Sequence, residues 1–155
     1  MKIKIISIQR HEQKEVISLE AEYLKRVKRY ADIQICNIKT KIEADEKQKT
    51  LKMEEKLLLK ELPENALWIV LDERGKQMTN KLLSQQLSGY MNQGIKEICF
   101  IVGGPQGVSE NIKNKSRFMW SLSDLTFPHR LVRLLLIEAL YRSFDIINKG
   151  PYHKD

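Results

Sequence analysis

The spacing of hydrophobic positions changes period along the chain, and each change marks an element. Residues 2–8 set Ile3 and Ile5 against lysines, the two-residue alternation of a strand. Over 13–30, Val16, Leu19, Tyr23, Leu24, Val27 and Tyr30 recur three and four apart, which predicts an amphipathic helix. Its other face carries Lys25, Arg26, Lys28 and Arg29, a cluster that more often marks a solvated face than an RNA contact. Alternation returns at 32–38 with Ile33 and Ile35, a second strand. Residues 39–50 are highly charged, with Ile42 the apolar exception, and read as a connection because too little chain precedes them to fold alone. A helix over 46–61 ends before Pro63, and the apolar run 66–71 predicts a buried strand.

That strand stops at Asp72-Glu73-Arg74-Gly75-Lys76, which reads as a loop. Thr79 is a suitable N-cap for a helix carrying Leu82, Leu83, Leu87 and Tyr90 and closed near Gly94. The apolar run 98–102 then breaks into Gly103-Gly104-Pro105-Gln106-Gly107, and Ser109 can cap a short helix through 118. A further strand-like run breaks into Ser121-Leu122-Ser123-Asp124-Leu125-Thr126-Phe127 before a long helix over 128–148. Strands alternating with helices predict an α/β fold, a mostly parallel sheet with helices on both faces, in a single domain spanning 1–155. Two such loops at neighbouring strand ends describe a ligand crevice.

Composition narrows the setting. Lys plus Arg (27) exceeds Asp plus Glu (20), a net charge of +7, which makes a polyanionic partner plausible without naming any chemistry. Cys36 and Cys99 both lie in apolar runs and read as small buried hydrophobes, not as a metal or redox pair, and no metal site is expected. The start of the chain is too short and too alternating for a signal peptide, and no apolar run approaches about eighteen residues, so a soluble cytoplasmic protein is expected, with no membrane partner.

Several ligands fit the crevice at this level. The glycine turn alone is a weak signal, and a tight turn would need glycine for its backbone angles regardless. A dinucleotide fingerprint lacks its first glycine, whose place Val102 holds, although Asp124 lies about twenty residues on, as a ribose-binding acid would. A small basic ribosome-binding protein would explain the charge equally well, without requiring a crevice. In the last helix Leu131, Val132, Leu134, Leu135, Leu136, Ile137, Ala139 and Leu140 leave little polar face, so either the fold or a second subunit covers them. Glu138 and Arg142 can pair, whereas Arg133 among apolar neighbours should meet a carboxylate, a carbonyl cluster or a substrate phosphate. The terminal Pro151-Tyr152-His153 concentrates a restricted backbone, an aromatic ring and an imidazole, and looks more like part of a site than a frayed tail; His11 should only be solvated.

Taken in order, Leu71-Asp72-x-x-Gly75-Lys76, Gly103-Gly104-Pro105-x-Gly107, Ser121-Leu122-Ser123, Thr126-Phe127-Pro128-His129-x-Leu131-Val132-Arg133, Glu138-x-Leu140-Tyr141-Arg142 and Pro151-Tyr152-His153 resemble the RlmH family, bacterial SPOUT methyltransferases that act on a pseudouridine of 23S ribosomal RNA. The resemblance is close from about residue 66 onward; where many members carry glycine-lysine after the first strand, this chain has Gln9-Arg10. It implies a C-terminal trefoil knot, a homodimer, and S-adenosylmethionine held mainly by backbone around Leu71, Gly103, Leu122, Ser123, Asp124, Leu125, Thr126 and Phe127. It further implies methyl transfer to N3 of the pseudouridine, with Tyr152 and His153 as candidate catalytic residues that complete the site across the dimer. Arg133 and Arg142 are candidate RNA-binding or structural anchors, and the partner is 23S rRNA or the ribosome.

Overall fold

The computed structural model describes residues 1–9, 14–40 and 47–153. Five strands alternate with five helices: β1 (Lys2–Gln9), α1 (Lys14–Val27), β2 (Asp32–Lys39), α2 (Lys47–Glu61), β3 (Leu67–Gln77), α3 (Asn80–Asn92), β4 (Glu97–Val102), α4 (Glu110–Lys115), β5 (Phe118–Ser121) and α5 (His129–Ile147). The sheet runs β2-β1-β4-β3-β5 with every pairing parallel. Parallel neighbours require crossovers, and α1, α2, α3 and α4 supply the four of them, with α5 following the last strand.

The period-two pattern of β1 assigns those faces. Ile3 and Ile5 join Phe100, Leu71, Leu87, Leu136, Ile137, Leu140 and Phe144 in a core beneath α1, α3 and α5. Ile6 and Ile8 join Ile101, Val70, Leu58 and Ile112 beneath α2 and α4. Cys99 is buried in this second core as expected, whereas Cys36 is only partly buried at its edge, where its thiol donates to Glu61 at 3.4 Å. The apolar face of α5 is thus largely buried in its own chain, and the basic face of α1 is solvated at Lys25, Lys28 and Arg29. Leu19, expected on the buried stripe of α1, is instead 48% exposed; with Ile17 and, on α5, Leu135 it leaves apolar surface on two helices that pack together.

The caps follow the sequence. The Thr79 side chain accepts from the Leu82 N–H and that of Ser109 from the Ile112 N–H, while Gly94 takes the left-handed φ of 74° after α3. Two elements depart from expectation. The helix after Ser109 ends at Lys115, and Phe118 already belongs to β5. The segment 72–76 is not a free loop: after a register break between Leu71 and Lys76, β3 continues, pairing Lys76 with Trp120 and Gln77 with Ser121. Glycine is required in that extension, because a Cβ on Gly75 would lie 2.6 Å from the Met119 carbonyl carbon. The expected solvation of His11, the connection at 41–46 and the departure at Arg10 lie outside the described residues.

Candidate active site

Because all strands are parallel, the carboxyl ends of β3, β4 and β5 open on one edge of the sheet, with β3 between the two predicted loops. A cavity of about 790 Å³ lies there. That volume falls in the range of small-molecule sites, which is about 300–1,000 Å³. Leu71, Gly103, Leu122, Ser123, Leu125, Thr126 and Phe127 line it, seven of the eight residues expected around the cofactor. Asp124 does not; its carboxylate accepts from the Gln77 side chain, so it does not stand where a ribose-binding acid would.

A Cβ on Gly103 would lie 2.5 Å from the Gly107 carbonyl oxygen, so the turn folds back on itself too closely to admit a side chain at 103. The Ser123 hydroxyl accepts from the Leu125 N–H at 3.0 Å, and the Ser121 hydroxyl donates to the Ser123 carbonyl at 2.8 Å, which shapes the second loop. The Thr126 hydroxyl donates to Glu73 at 3.2 Å, tying that loop to the β3 extension.

Three features of the crevice were not assigned from sequence. Asp72 is buried and pairs with the buried Lys113 ammonium at 2.7 Å, while its other oxygen accepts from the Arg74 backbone at 3.0 Å. Burial alone would push the Asp72 carboxyl up, but Lys113 and Arg74 outweigh it and hold the group below the ordinary carboxylate value. Trp120, 3% exposed, lines the cavity, and its indole N–H is buried without an acceptor among the described residues. His129 lines the cavity at the first turn of α5; burial and then the neighbouring Arg130 charge lower its pKa below the ordinary 6.5.

The tail lies elsewhere. Asp145, 1% exposed, accepts from the backbone N–H groups of Tyr152 at 2.9 Å and His153 at 3.0 Å. The Tyr152 hydroxyl donates to Glu138 at 3.0 Å, and Arg142 reaches the same carboxylate at 2.5 Å while lying over the Tyr152 ring, 4.7 Å from its centroid. Burial, then hydrogen bonding to Tyr23 and Glu138, raises the Tyr152 phenol pKa. The tail is therefore ordered, but on the second half of α5. The crevice uses the first half, at His129, Arg130 and Val132. From Val132 to Asp145 is about 20 Å at the usual helical rise, so within one chain Tyr152 and His153 do not enter the cavity.

Both candidate RNA arginines are engaged by the protein's own acids. Arg133, 3% exposed, donates to Glu20 through Nε at 2.6 Å and Nη2 at 2.5 Å, with Nη1 on the Ser7 hydroxyl at 3.3 Å and on the Asn37 carbonyl oxygen. Of the partners open to it, the carboxylate is the one present, and the geometry supports a structural anchor, not an RNA contact. Glu20 could have been suspected: it follows Val16 by four and precedes Val27 by seven, in the middle of the apolar stripe of α1. Among the described residues no His, Cys, Asp and Glu cluster could hold a metal, and no helix is long and apolar enough to cross a membrane.

A family model described as "Predicted SPOUT methyltransferase" matches residues 1–153. A ribosomal RNA large subunit methyltransferase H of Acetivibrio thermocellus is 38% identical, covering 99% of this chain and 100% of that protein. One of Flavobacterium johnsoniae is 39% identical, covering 99% of each chain. Among solved structures, a probable methylase family protein from Haemophilus influenzae Rd KW20 aligns with a TM-score of 0.56 at 16% identity over 95% of this chain and 66% of its own, a likeness of fold. With the parallel sheet, the edge crevice and full-length matches in agreement, the chain belongs to the SPOUT methyltransferase family and stands within it among the ribosomal RNA large subunit methyltransferases H.

Proposed function

We propose that this protein transfers a methyl group from S-adenosylmethionine to N3 of a pseudouridine in 23S ribosomal RNA, in the cytoplasm and as a homodimer. The observation that carries the reading is the crevice itself: about 790 Å³ at the carboxyl ends of β3, β4 and β5, lined by Gly103 and by Leu122, Ser123, Leu125, Thr126 and Phe127 of the second loop. S-adenosylmethionine, when bound, supplies a methyl group on a positively charged sulfur. The chain's work is to hold and orient the ligand through loop amides, with Leu71, Val102, Leu122, Phe127 and Val132 as apolar walls excluding water. Asp124, outside the cavity, keeps the loop against Gln77.

A second copy supplies what one chain lacks. Tyr152 and His153 stand too far from their own crevice to act there, yet Asp145 orders them for presentation to a neighbour. In the dimer Tyr152 braces the substrate base and His153 stands beside the reacting edge. Exposed Ile17, Leu19 and Leu135 support a contact between copies over the first halves of α1 and α5. The C-terminal knot belongs to the same reading: the chain passes from β4 beyond β3 to place β5 at the edge and then returns as α5 to pack on β1 and β4.

Incubating the protein with labelled S-adenosylmethionine and ribosomes or free rRNA lacking the modification tests the assignment. Label is expected on one pseudouridine of 23S rRNA, released by nuclease mapping as an N3-methyl product. Label on protein or transfer RNA instead would overturn the substrate.

A further inference from the structure

We propose that the His129 imidazole is the group that takes the N3 proton from the substrate, leaving His153 to orient the base. The inference rests on the methyltransferase reading above and assigns a step within it. A pseudouridine N3 carries a hydrogen, so its nitrogen becomes a competent nucleophile only as that N–H bond breaks. The N–H pair then forms the bond to the methyl carbon, the S–CH3 pair returns to sulfur to leave a neutral thioether, and the proton needs a site on the protein or in water.

The crevice narrows the choice. Among the described residues lining it, the titratable or charged side chains are Lys47 of α2, Asp72, Glu73 and Arg74 of the β3 extension, and His129 and Arg130 of α5. Lysine and arginine arrive protonated. Asp72 already holds Lys113 of α4 and two Arg74 N–H groups, which weakens it as a base. Glu73 is exposed and accepts the Thr126 hydroxyl. His129 is half-buried on the cavity wall, fixed at the start of a rigid 19-residue helix. Burial and the adjacent Arg130 keep its ring neutral at pH 7, so a nitrogen lone pair is available when the substrate arrives. One turn further along α5, Arg133 adds no free charge because Glu20 of α1 pairs with it. The imidazole therefore needs no second subunit to be in place, unlike His153.

The test compares wild type, H129Q and H153Q for single-turnover methylation of unmodified rRNA across pH, alongside histidine NMR titration of the free protein. Wild type is expected to lose rate as pH falls, on a limb whose midpoint matches the His129 ring titration and lies below the ordinary value of 6.5. H129Q should lower the rate about 10²- to 10⁴-fold at neutral pH and lose that limb. Its rate should recover at alkaline pH as the substrate nitrogen ionises unaided, which a merely structural defect would not give, and S-adenosylmethionine affinity by calorimetry should stay within about threefold. H153Q should be slower but keep the limb. The inference is overturned if H129Q keeps the wild-type profile, if the limb disappears in H153Q and not in H129Q, or if the NMR and kinetic midpoints differ. The last comparison uses wild type alone and holds even should H129Q misfold. Absence of rRNA methylation by wild type would sink the functional reading itself, and with it this assignment.

Discussion

At the residue scale, Gly75 and Asp72 show how the β3 extension is made. A methyl group at Gly75 meets backbone of β5, which cannot rotate away as a side chain could, so Gly75→Ala should lower unfolding stability by about 1–3 kcal/mol in urea titrations. Asp72 has a folded pKa below its ordinary 3.8, so its contribution to stability is complete above that value and is lost as pH falls through the lowered one. Asp72→Asn should accordingly flatten the loss of stability as pH falls below the ordinary value of 3.8, read from urea midpoints at each pH. Neither residue's part was legible in advance. Gly75 reads as a loop glycine because its neighbours Glu73, Arg74 and Lys76 are polar, and the pairing that makes it a strand glycine depends on Trp120 and Ser121, more than forty positions away. The crevice was legible because glycine and serine-threonine loops report local geometry. Lys113 was not, since a lysine beside Ile112 carries no local sign that Asp72 waits for it.

At the element scale the helices and strands were readable wherever a period or a cap stood in the sequence, as at Thr79, Ser109 and Gly94. The period failed at α1, where the stripe contains the charged Glu20 and leaves Leu19 outside. The same mismatch is explained from the other end: α5 brings Arg133 under α1, and the two buried ions neutralise each other. Removing one partner strands the other, so Arg133→Met should cost about 3–5 kcal/mol, while Arg133→Met with Glu20→Leu should return most of it. A double-mutant cycle by chemical unfolding gives the coupling, and rRNA affinity should change little once the fold is restored, as expected for an anchor between helices. Had Arg133 instead gripped RNA, the double variant would bind its substrate much more weakly at equal stability.

At the scale of the whole molecule, the proposed dimer divides the site between two chains. A chain ending at Lys149 lacks the tail, and Gly103→Val blocks the crevice wall; each alone should be inactive. Mixed, they should regain up to about one quarter to one half of wild-type methylation, because a heterodimer then holds one intact crevice facing one intact tail. No recovery on mixing, with heterodimers shown to form by native mass spectrometry, would place both halves of the site on the same chain.

Helix α5 joins those halves, with the crevice on its first turns and Asp145 clasping the tail near its end. It therefore works as a gauge rod. Each residue adds about 1.5 Å of length and about 100° of rotation, so inserting one residue between Val132 and Glu138 would swing the tail around the rod while barely lengthening it. In the proposed dimer, the count of residues in this helix would set the angle at which one molecule hands its tail to the next.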